Sequence, residues 1–249
     1  LAYMAACIQY KGVKFQWAPL LQGVEGNGKS LFTRCVSAAI GERYVHLPPA
    51  NEIGEKFNAW MFDMLFIGVE DIYIPDQKRE IIEILKPMIT GDRLTRREMK
   101  TSQVTKDCCC NFIFNSNHRD ADRKTENDRR FCVFYTAQQR FSDIERDGMG
   151  GDYFPQLYAW LKADGYAIVN EFLTTYAIPE ELNPAGAQHR APKTSTTAEA
   201  IHESMGPVEH RILEAVDEGR PGFCGGWISS SALDLLLKAM KRDNMIPVN

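Results

Sequence analysis

The stretch with the clearest chemistry is "GVEGNGKS", residues 23–30, which fits the phosphate-binding pattern G-x-x-x-x-G-K-[ST]. Its glycines let the backbone turn tightly, so that N–H groups and the start of the next helix face phosphate oxygens. Lys29 supplies a positive charge for the β- and γ-phosphates, and Ser30 supplies a hydroxyl for Mg²⁺. We therefore predict an ATP site made of Gly23, Val24, Glu25, Gly26, Asn27, Gly28, Lys29, Ser30 and Leu31.

A carboxylate at the end of a neighbouring buried strand is the next requirement, because a phosphate loop alone hydrolyses nothing. The apolar run "MLFIGV" is followed directly by Glu70 and Asp71. Adjacent side chains diverge, so one carboxylate can join Ser30 at the metal while the other faces an attacking water. By position we assign Glu70 to the metal and Asp71 to the water, and the reverse assignment stays open. The alternative is an exposed strand end that begins a loop.

The elements that position these residues alternate between strands and helices. From Phe15 to Tyr135 the alternation predicts an α/β fold with a mainly parallel sheet. "FQWAPLLQG" and "MLFIGV" are predicted strands, 30–40 is a helix that ends at Gly41, and Asp76 caps a helix that runs to Gly91. A further helical region is predicted at 153–175.

The remaining chain divides into two parts. Residues 176–205 are rich in Pro, Ala and Thr without clear periodicity, which indicates a linker. The tail, 206–249, has a predicted helix at 207–217, the turn "GRPGFCGG" and a helix that begins at 229–231.

Composition narrows the class of protein. The chain has 249 residues, 44 % of them hydrophobic, which suffices for one large domain and a small one. No apolar stretch reaches the roughly 18 residues that span a bilayer, and no signal peptide is evident, so we expect a soluble cytoplasmic protein without a membrane partner. A net charge of −4 makes any DNA contact local. Because the chain begins at Leu1 and stops at Asn249 within an apparent structural unit, we expect a piece of a longer polypeptide.

The seven cysteines show no C-x-x-C spacing. The consecutive residues Cys108, Cys109 and Cys110 point in alternating directions on a strand, so we do not expect them to chelate one ion together. Reduced, partly buried thiols of a cytosolic protein are the expectation.

The motifs, taken in order, resemble those of the superfamily 3 helicases, a viral and plasmid branch of the AAA+ ATPases. The resemblance covers residues 1–175 and rests on the phosphate loop, the acidic pair, "LKPMITGDRLTRREMK", "NFIFNSN" and "DRRF". "FNAWMFDMLFIGVED" is especially similar to the poxvirus-type and phage primase-helicases, including phage primase-polymerases with a fused C-terminal helicase. The implied fold is an AAA+ P-loop NTPase with helices flanking the sheet.

The resemblance implies roles for residues that local pattern alone would leave ordinary. Asn117 would be the sensor of the γ-phosphate or the lytic water, since an amide both donates and accepts. Arg130, with Arg129 as the alternate, would be an arginine finger supplied by the adjacent subunit. Without the resemblance, Asn117 is a strand-end residue and the arginines pair with local acids.

A basic hairpin at 93–106 is the implied DNA contact. Lys100 is predicted at its tip, with Arg96 and Arg97 next, and phosphate contacts would hold the DNA without sequence readout. The alternative is a solvated charged hairpin. The tail resembles part of a winged-helix domain, and a helical cap is an equal alternative.

The implied activity is that of an ATP-dependent DNA helicase of phage or plasmid replication. It would use Mg-ATP, assemble as a homo-oligomeric, hexameric ring on single-stranded or forked DNA, and reside in the bacterial cytoplasm if phage-encoded. A primase or polymerase domain upstream is implied as well. Two alternatives remain: an ATP-switched DNA-binding initiator module, and a P-loop phosphotransferase.

Overall fold

The computed structural model describes residues 1–49, 52–53, 58–72, 80–98, 103–119, 128–186, 190–243 and 245, with the main chain alone at 80–83. Asp76 and Lys100, predicted as a helix cap and a hairpin tip, lie outside the described residues. The strands are β1 (Ala18–Gln22), β2 (Val45–His46), β3 (Phe66–Val69), β4 (Arg93–Arg96), β5 (Val104–Asp107), β6 (Asn111–Ser116) and β7 (Phe131–Tyr135).

Nine helices are described in these parts of the chain. They are α1 (Ala2–Gln9), α2 (Ser30–Ile40), α3 (Glu80–Thr90), α4 (Phe141–Arg146), α5 (Tyr153–Trp160), α6 (Tyr166–Thr175), α7 (Thr197–Glu203), α8 (Pro207–Asp217) and α9 (Ser230–Arg242). A π-helical segment, Leu161–Gly165, joins α5 to α6. The predicted helices at 30–40 and 153–175 are therefore confirmed, the second with a π-helical middle.

The central sheet has five strands in the order β2, β3, β6, β1, β7. Every neighbouring pair runs parallel, which confirms the predicted α/β fold with a mainly parallel sheet. Strands β4 and β5 form a separate antiparallel hairpin, with register from Arg93↔Asp107 to Arg96↔Val104. Strand β6 lies between β3 and β1, although it follows both in the chain.

The two faces of the sheet pack against different helices, because successive residues of a strand point to opposite faces. On β6, Phe112 and Phe114 belong to one core cluster with Leu85 of α3. Ile113 belongs to the other cluster, together with Val36 of α2 and residues of α1 and α6. Strands β3 and β6 are buried along their whole length, as expected for central strands covered on both faces.

Part of the segment predicted as a linker packs against the sheet. The N–H of Ala191 donates to the Arg129 carbonyl at 2.7 Å, and Thr194 Oγ1 donates to the Val133 carbonyl at 2.6 Å. Ala200 of α7 is buried in the cluster that contains α3. Hydroxyl and main-chain groups make these contacts, and composition does not reveal such contacts. Residues 190–203 therefore pack against the α/β domain, whereas their composition predicted a separate linker.

The tail contains the two predicted helices, α8 and α9. Its described residues, 206–243 and 245, form helices and turns without a strand.

Candidate active site

The predicted ATP-site residues meet at one edge of the sheet, where three adjacent parallel strands end. The phosphate loop follows β1, Asn117 follows β6, and Glu70 and Asp71 follow β3. The register aligns Gln22 with Ser116 and Val69 with Phe114, so these three ends lie side by side. The insertion of β6 between β1 and β3 puts the asparagine between the phosphate loop and the carboxylates.

The phosphate loop passes close to neighbouring groups at two of its glycines. A Cβ on Gly23 would lie 2.0 Å from Thr136 Oγ1 and 2.4 Å from Asn27 Nδ2, so no side chain fits there. Gly28 has φ +86°, and a Cβ there would lie 2.9 Å from the Phe154 ring. The loop after β7 and helix α5 therefore hold the phosphate loop from two sides.

The Lys29 ammonium is buried inside this loop. It donates to the carbonyls of Gly23 and Val24 at 2.8 Å each and to Asn27 Oδ1 at 3.1 Å. A fourth contact, 2.9 Å long, reaches Asn117 Oδ1 across the gap between β1 and β6. The ammonium is therefore held at the bottom of the loop and in direct contact with the predicted sensor.

The charges around Lys29 oppose the effect of its burial. Burial lowers the pKa of Lys29, whereas the carboxylates of Asp71, Glu70 and Glu25 raise it, in that order of size. A cation surrounded by carbonyl oxygens and three acids is suited to an anionic ligand that replaces the carbonyl contacts.

Glu70 is held by hydrogen bonds at both carboxylate oxygens. Ser30 Oγ donates to Glu70 Oε2 at 2.6 Å, and Asn115 Nδ2 donates to Glu70 Oε1 at 2.9 Å. Asn115 Nδ2 also lies 3.2 Å from Thr33 Oγ1 of α2. Hydrogen bonds at both oxygens fix the orientation of this carboxylate, and its oxygens lie beside the Ser30 hydroxyl, as a Mg²⁺ site requires.

Asp71 and Asn117 form a second, separate pair. Asn117 Nδ2 donates to Asp71 Oδ1 at 2.9 Å, while its Oδ1 accepts from Lys29. This orientation of the amide is the one that matches an anion on one side and a cation on the other. Asp71 has φ +51°, a left-handed conformation uncommon outside glycine. The chain therefore turns sharply after Glu70, so that the two carboxylates face different partners.

A cavity of about 360 Å³ lies over these groups. The phosphate loop, Glu70, Asp71 and Asn117 form one wall, and Phe154 and Tyr158 of α5 form another. The guanidinium of Arg34 lies 5.5 Å from the centre of the Tyr158 ring, which fixes that ring against α2. The cavity thus joins a phosphate-binding end to an aromatic wall.

Arg129 and Arg130 lie at the N-terminal ends of the strands, whereas the phosphate loop and the carboxylates lie at the C-terminal ends. Arg130 precedes β7, whose first residue, Phe131, aligns with Ala18 at the start of β1. The phosphate loop begins only after Gln22, four residues further along β1 than Ala18. At about 3.3 Å per residue, Arg130 and the start of the loop are therefore about 13 Å apart along the strand direction. Among the described residues, the buried Nε of Arg130 has no hydrogen-bond acceptor. The structure therefore does not bring either arginine to the cavity of its own chain.

The hairpin presents its basic residues unequally. Arg93 pairs with Asp107 at 3.1 Å, and Arg96 pairs with Glu98 at 3.1 Å. Arg97 is exposed, and its main chain exchanges hydrogen bonds with Asn58, whose side chain accepts from Arg97 N at 2.7 Å. Asn58 of "FNAW" thus anchors β4.

Comparison with known proteins supports the fold. An apo structure of the NrS-1 C-terminal region has a TM-score of 0.63 at 15% identity, and the match covers 99% of this chain and 55% of that chain. An A-form apo structure of the same region has a TM-score of 0.64 at 15% identity, covering 99% and 54%. The chain spans about half the length of the solved chains that it matches.

One family model also matches, that of a family of unknown function (DUF5906), over residues 21–130. The matched segment runs from the end of β1 to Arg130 and includes the phosphate loop, the acidic pair and Asn117. No curated protein matches the chain.

Several groups at the site escape reasoning from the sequence. Thr33, Phe154 and Tyr158 belong to none of the motifs, and Asn115 lies within "NFIFNSN" but had no predicted role, yet all four support Glu70 or line the cavity. A signal for Asn115 was present, because residues two apart on a strand share a face and Asn117 was already singled out. The aromatic residues gave no comparable signal, since α5 is separated from the loop by more than 100 residues.

Within the described ranges, no three His, Cys, Asp or Glu side chains are arranged to hold a metal ion. Mg²⁺ needs fewer protein ligands, because it commonly keeps several waters and binds one or two carboxylates together with substrate phosphates. The hydroxyl of Ser30 beside the Glu70 carboxylate therefore fits such an ion. In the same parts of the chain, every helix is too short or too polar to cross a membrane.

Proposed function

We propose that this chain is an AAA+ ATPase of the superfamily 3 type, which hydrolyses Mg-ATP and unwinds DNA in phage or plasmid replication. One observation carries the proposal. Side chains link the phosphate loop to both carboxylates that follow β3: Ser30 contacts Glu70 directly, and Lys29 reaches Asp71 through Asn117. This is the arrangement that the resemblance to the superfamily 3 motifs implies, and the fold supports it.

The division of work follows from the contacts. Lys29 exchanges loop carbonyls for phosphate oxygens when ATP binds, because a charged acceptor makes the stronger hydrogen bond. Ser30 and Glu70 would hold Mg²⁺, which would supply positive charge to the phosphates of ATP. Asp71 accepts a hydrogen bond from the attacking water, and Asn117 positions that water relative to Lys29 and the γ-phosphate. Asn115 and Thr33 keep Glu70 in place.

The site is completed by a second copy of the chain in this proposal. Arg130 is too far from its own phosphate loop to act there, whereas a head-to-tail interface places one subunit's β7 edge against its neighbour's cavity. Repetition of this interface closes into a ring, which we propose is a hexamer.

The hairpin supplies the DNA contact in this proposal. Arg97 is exposed, and within the described residues its side chain makes no ion pair, whereas Arg96 is paired with Glu98. Lys106 on β5 is exposed as well. Backbone phosphates attract such a hairpin without base-specific contacts.

The direct test measures ATP hydrolysis with and without a forked DNA duplex, together with strand separation. We expect DNA to stimulate hydrolysis and hydrolysis to separate the strands. A phosphotransferase would ignore DNA, and an ATP-switched initiator module would bind DNA without unwinding it, so either result would overturn the helicase assignment.

In the same assays, Lys100→Ala and Arg97→Ala are expected to keep basal hydrolysis and lose unwinding. Each variant should also show a weaker salt dependence of DNA binding, by the amount expected for the loss of about one phosphate contact.

The matched control for the hairpin variants is Lys162→Ala, which removes an exposed lysine from the π-helical segment. It should unwind like the unmodified protein. Normal strand separation by both hairpin variants would remove the hairpin from the mechanism without touching the ATPase assignment.

Replacing the two carboxylates is expected to change different kinetic quantities. Glu70→Gln should raise the Mg²⁺ concentration needed for hydrolysis, because it removes charge beside Ser30. Asp71→Asn should leave that dependence unchanged and lower kcat by about 10²- to 10⁴-fold, the range for loss of a general base. Magnesium titrations of the ATPase rate measure both effects. A Mg²⁺ dependence shifted by Asp71→Asn instead would exchange the two roles.

A further inference from the structure

Two thiols outside the candidate active site lie in contact at the junction of β5 and β6. The sulfur atoms of Cys108 and Cys110 are 3.4 Å apart, and both thiols are buried and free. The intervening Cys109 points away, with its Sγ 3.8 Å from the Met64 carbonyl. The alternation expected from the sequence thus holds for neighbours, and it brings Cys108 and Cys110 together on one face.

A lysine is fixed beside the first of these thiols. Lys14 Nζ lies 3.5 Å from Cys108 Sγ. Two carbonyls hold the ammonium in place, those of Met88 at 2.6 Å and Gly91 at 2.8 Å. Since neither carbonyl carries a negative charge, the positive charge of Lys14 remains to stabilise a thiolate at Cys108.

The two thiols share a proton unequally. The hydrogen bond from Cys110 lowers the pKa of Cys108 to about 6, with help from Lys14 and against the effect of burial. The same contact and burial raise the pKa of Cys110. The pair therefore consists of a thiolate acceptor and a thiol donor, as in dithiols that react as a unit.

A small reagent has a route to this pair. A cavity of about 600 Å³ is lined by Cys108, Cys109 and Lys14, and by Asp92 and Arg93 at the base of the hairpin. Cys108 itself is only 4% exposed, so the route suits a reagent the size of water or peroxide and excludes bulky ones.

We propose that Cys108 and Cys110 form a site for two-electron oxidation by a hydroperoxide, with Cys108 as the nucleophile and Cys110 as the resolving thiol. With hydrogen peroxide as the oxidant, the Cys108 thiolate attacks one oxygen, the O–O bond breaks, and the leaving hydroxide takes up a proton, so that a sulfenic acid and water form. The Cys110 sulfur then attacks the Cys108 sulfur, the S–O bond breaks, and a second water leaves. Two thiols become one disulfide while the peroxide is reduced to water.

Closure of the disulfide requires a modest approach of the two sulfurs. They are 3.4 Å apart in the dithiol form, against about 2.05 Å in a disulfide. The resulting link would constrain the segment that joins hairpin strand β5 to β6, the strand that ends next to Asn117. The oxidation itself does not depend on ATP hydrolysis or on DNA.

The test is a competition among cysteines of the native protein. Limiting hydrogen peroxide is added, and peptide mass spectrometry follows Cys108, Cys110, Cys35 and the exposed Cys224. Burial raises the pKa of Cys35, yet Cys35 is more exposed than Cys108. We expect the Cys108–Cys110 disulfide to form about tenfold faster than Cys35 or Cys224 is oxidised, because a thiolate stabilised by Lys14 reacts with peroxide and a thiol does not. Oxidation in the order of exposure, with Cys224 first, would overturn the proposal.

Three variants assign the roles of the individual groups. Cys110→Ser should stop at a Cys108 sulfenic acid, which dimedone traps when the oxidised protein is unfolded in its presence, whereas Cys109→Ser should form the disulfide as before. Lys14→Met should slow oxidation of Cys108, and Lys14→Arg should restore part of the rate because it keeps the charge. Circular dichroism checks that each variant is folded. A Cys110→Ser protein that gives no sulfenic acid on Cys108 would contradict the assignment of the nucleophile.

Discussion

Replacing Lys29 with alanine is expected to abolish ATP turnover. The Lys29 ammonium contacts four oxygens at the point where the phosphate loop meets Asn117, so its loss removes both the phosphate contact and the link to the sensor. Loss of one preorganised donor to developing charge costs about 10²- to 10³-fold in kcat, and weaker ATP binding adds to that loss. Steady-state ATPase assays and nucleotide-binding titrations separate the two effects.

Lys29→Arg distinguishes charge from geometry. The ammonium lies between carbonyls only 2.8 Å away on two sides, and a planar guanidinium does not fit the same position. We therefore expect Lys29→Arg to be nearly as inactive as Lys29→Ala, although it keeps the charge. Lys11→Ala, which removes an exposed lysine, is the matched control and should retain full activity. Near-normal hydrolysis by Lys29→Ala would exclude the phosphate loop as the catalytic ATP site.

The local elements around the site could be predicted because local chemistry determines them. Helix α2 runs from Ser30 to Ile40 as predicted, and it ends at Gly41, whose φ of +98° other residues rarely adopt. The uninterrupted apolar run of β3 indicated a buried strand, and the structure buries β3 throughout. The polar residues at its end were therefore recognisable as candidates for chemistry.

The contacts between these elements could not be predicted from spacing. The pairing of Asn115 with Glu70 joins residues 45 positions apart, and Lys29 and Asn117 are 88 apart. Both contacts depend on the insertion of β6 between β1 and β3, which the residues alone did not specify. In this protein the sequence motifs identified the site residues, whereas the strand order determines which of these residues contact one another.

Arg119, two residues after Asn117, shows the same limit. Its guanidinium contacts Glu199 at 2.7 Å and Glu203 at 3.3 Å, both on α7. Its guanidinium also lies 5.3 Å from the Tyr135 ring. Arg119 therefore ties the end of β6 to the segment predicted as a linker, a contact that required the position of α7.

Arg130→Ala is expected to bind ATP normally and to hydrolyse it about 10³- to 10⁵-fold more slowly, the range for loss of an arginine finger. Arg130→Lys should recover little, since a point charge does not reproduce the two parallel hydrogen bonds of a guanidinium. Arg129→Ala tests the alternate finger in the same assay, and Arg43→Ala removes an exposed arginine as the control. Wild-type hydrolysis by both Arg130→Ala and Arg129→Ala would refute the finger.

A mixture of Lys29→Ala and Arg130→Ala subunits decides whether the finger acts between chains. The β1–β7 register separates Arg130 from its own phosphate loop by about 13 Å, so in the proposed ring it would act on a neighbour's cavity. An Arg130→Ala subunit keeps an intact phosphate loop, and a Lys29→Ala neighbour can supply the missing guanidinium. Activity should therefore reappear on mixing two inactive proteins, with a maximum near equal proportions. If each chain supplied its own arginine, no proportion would restore hydrolysis, because every subunit would lack one of the two groups.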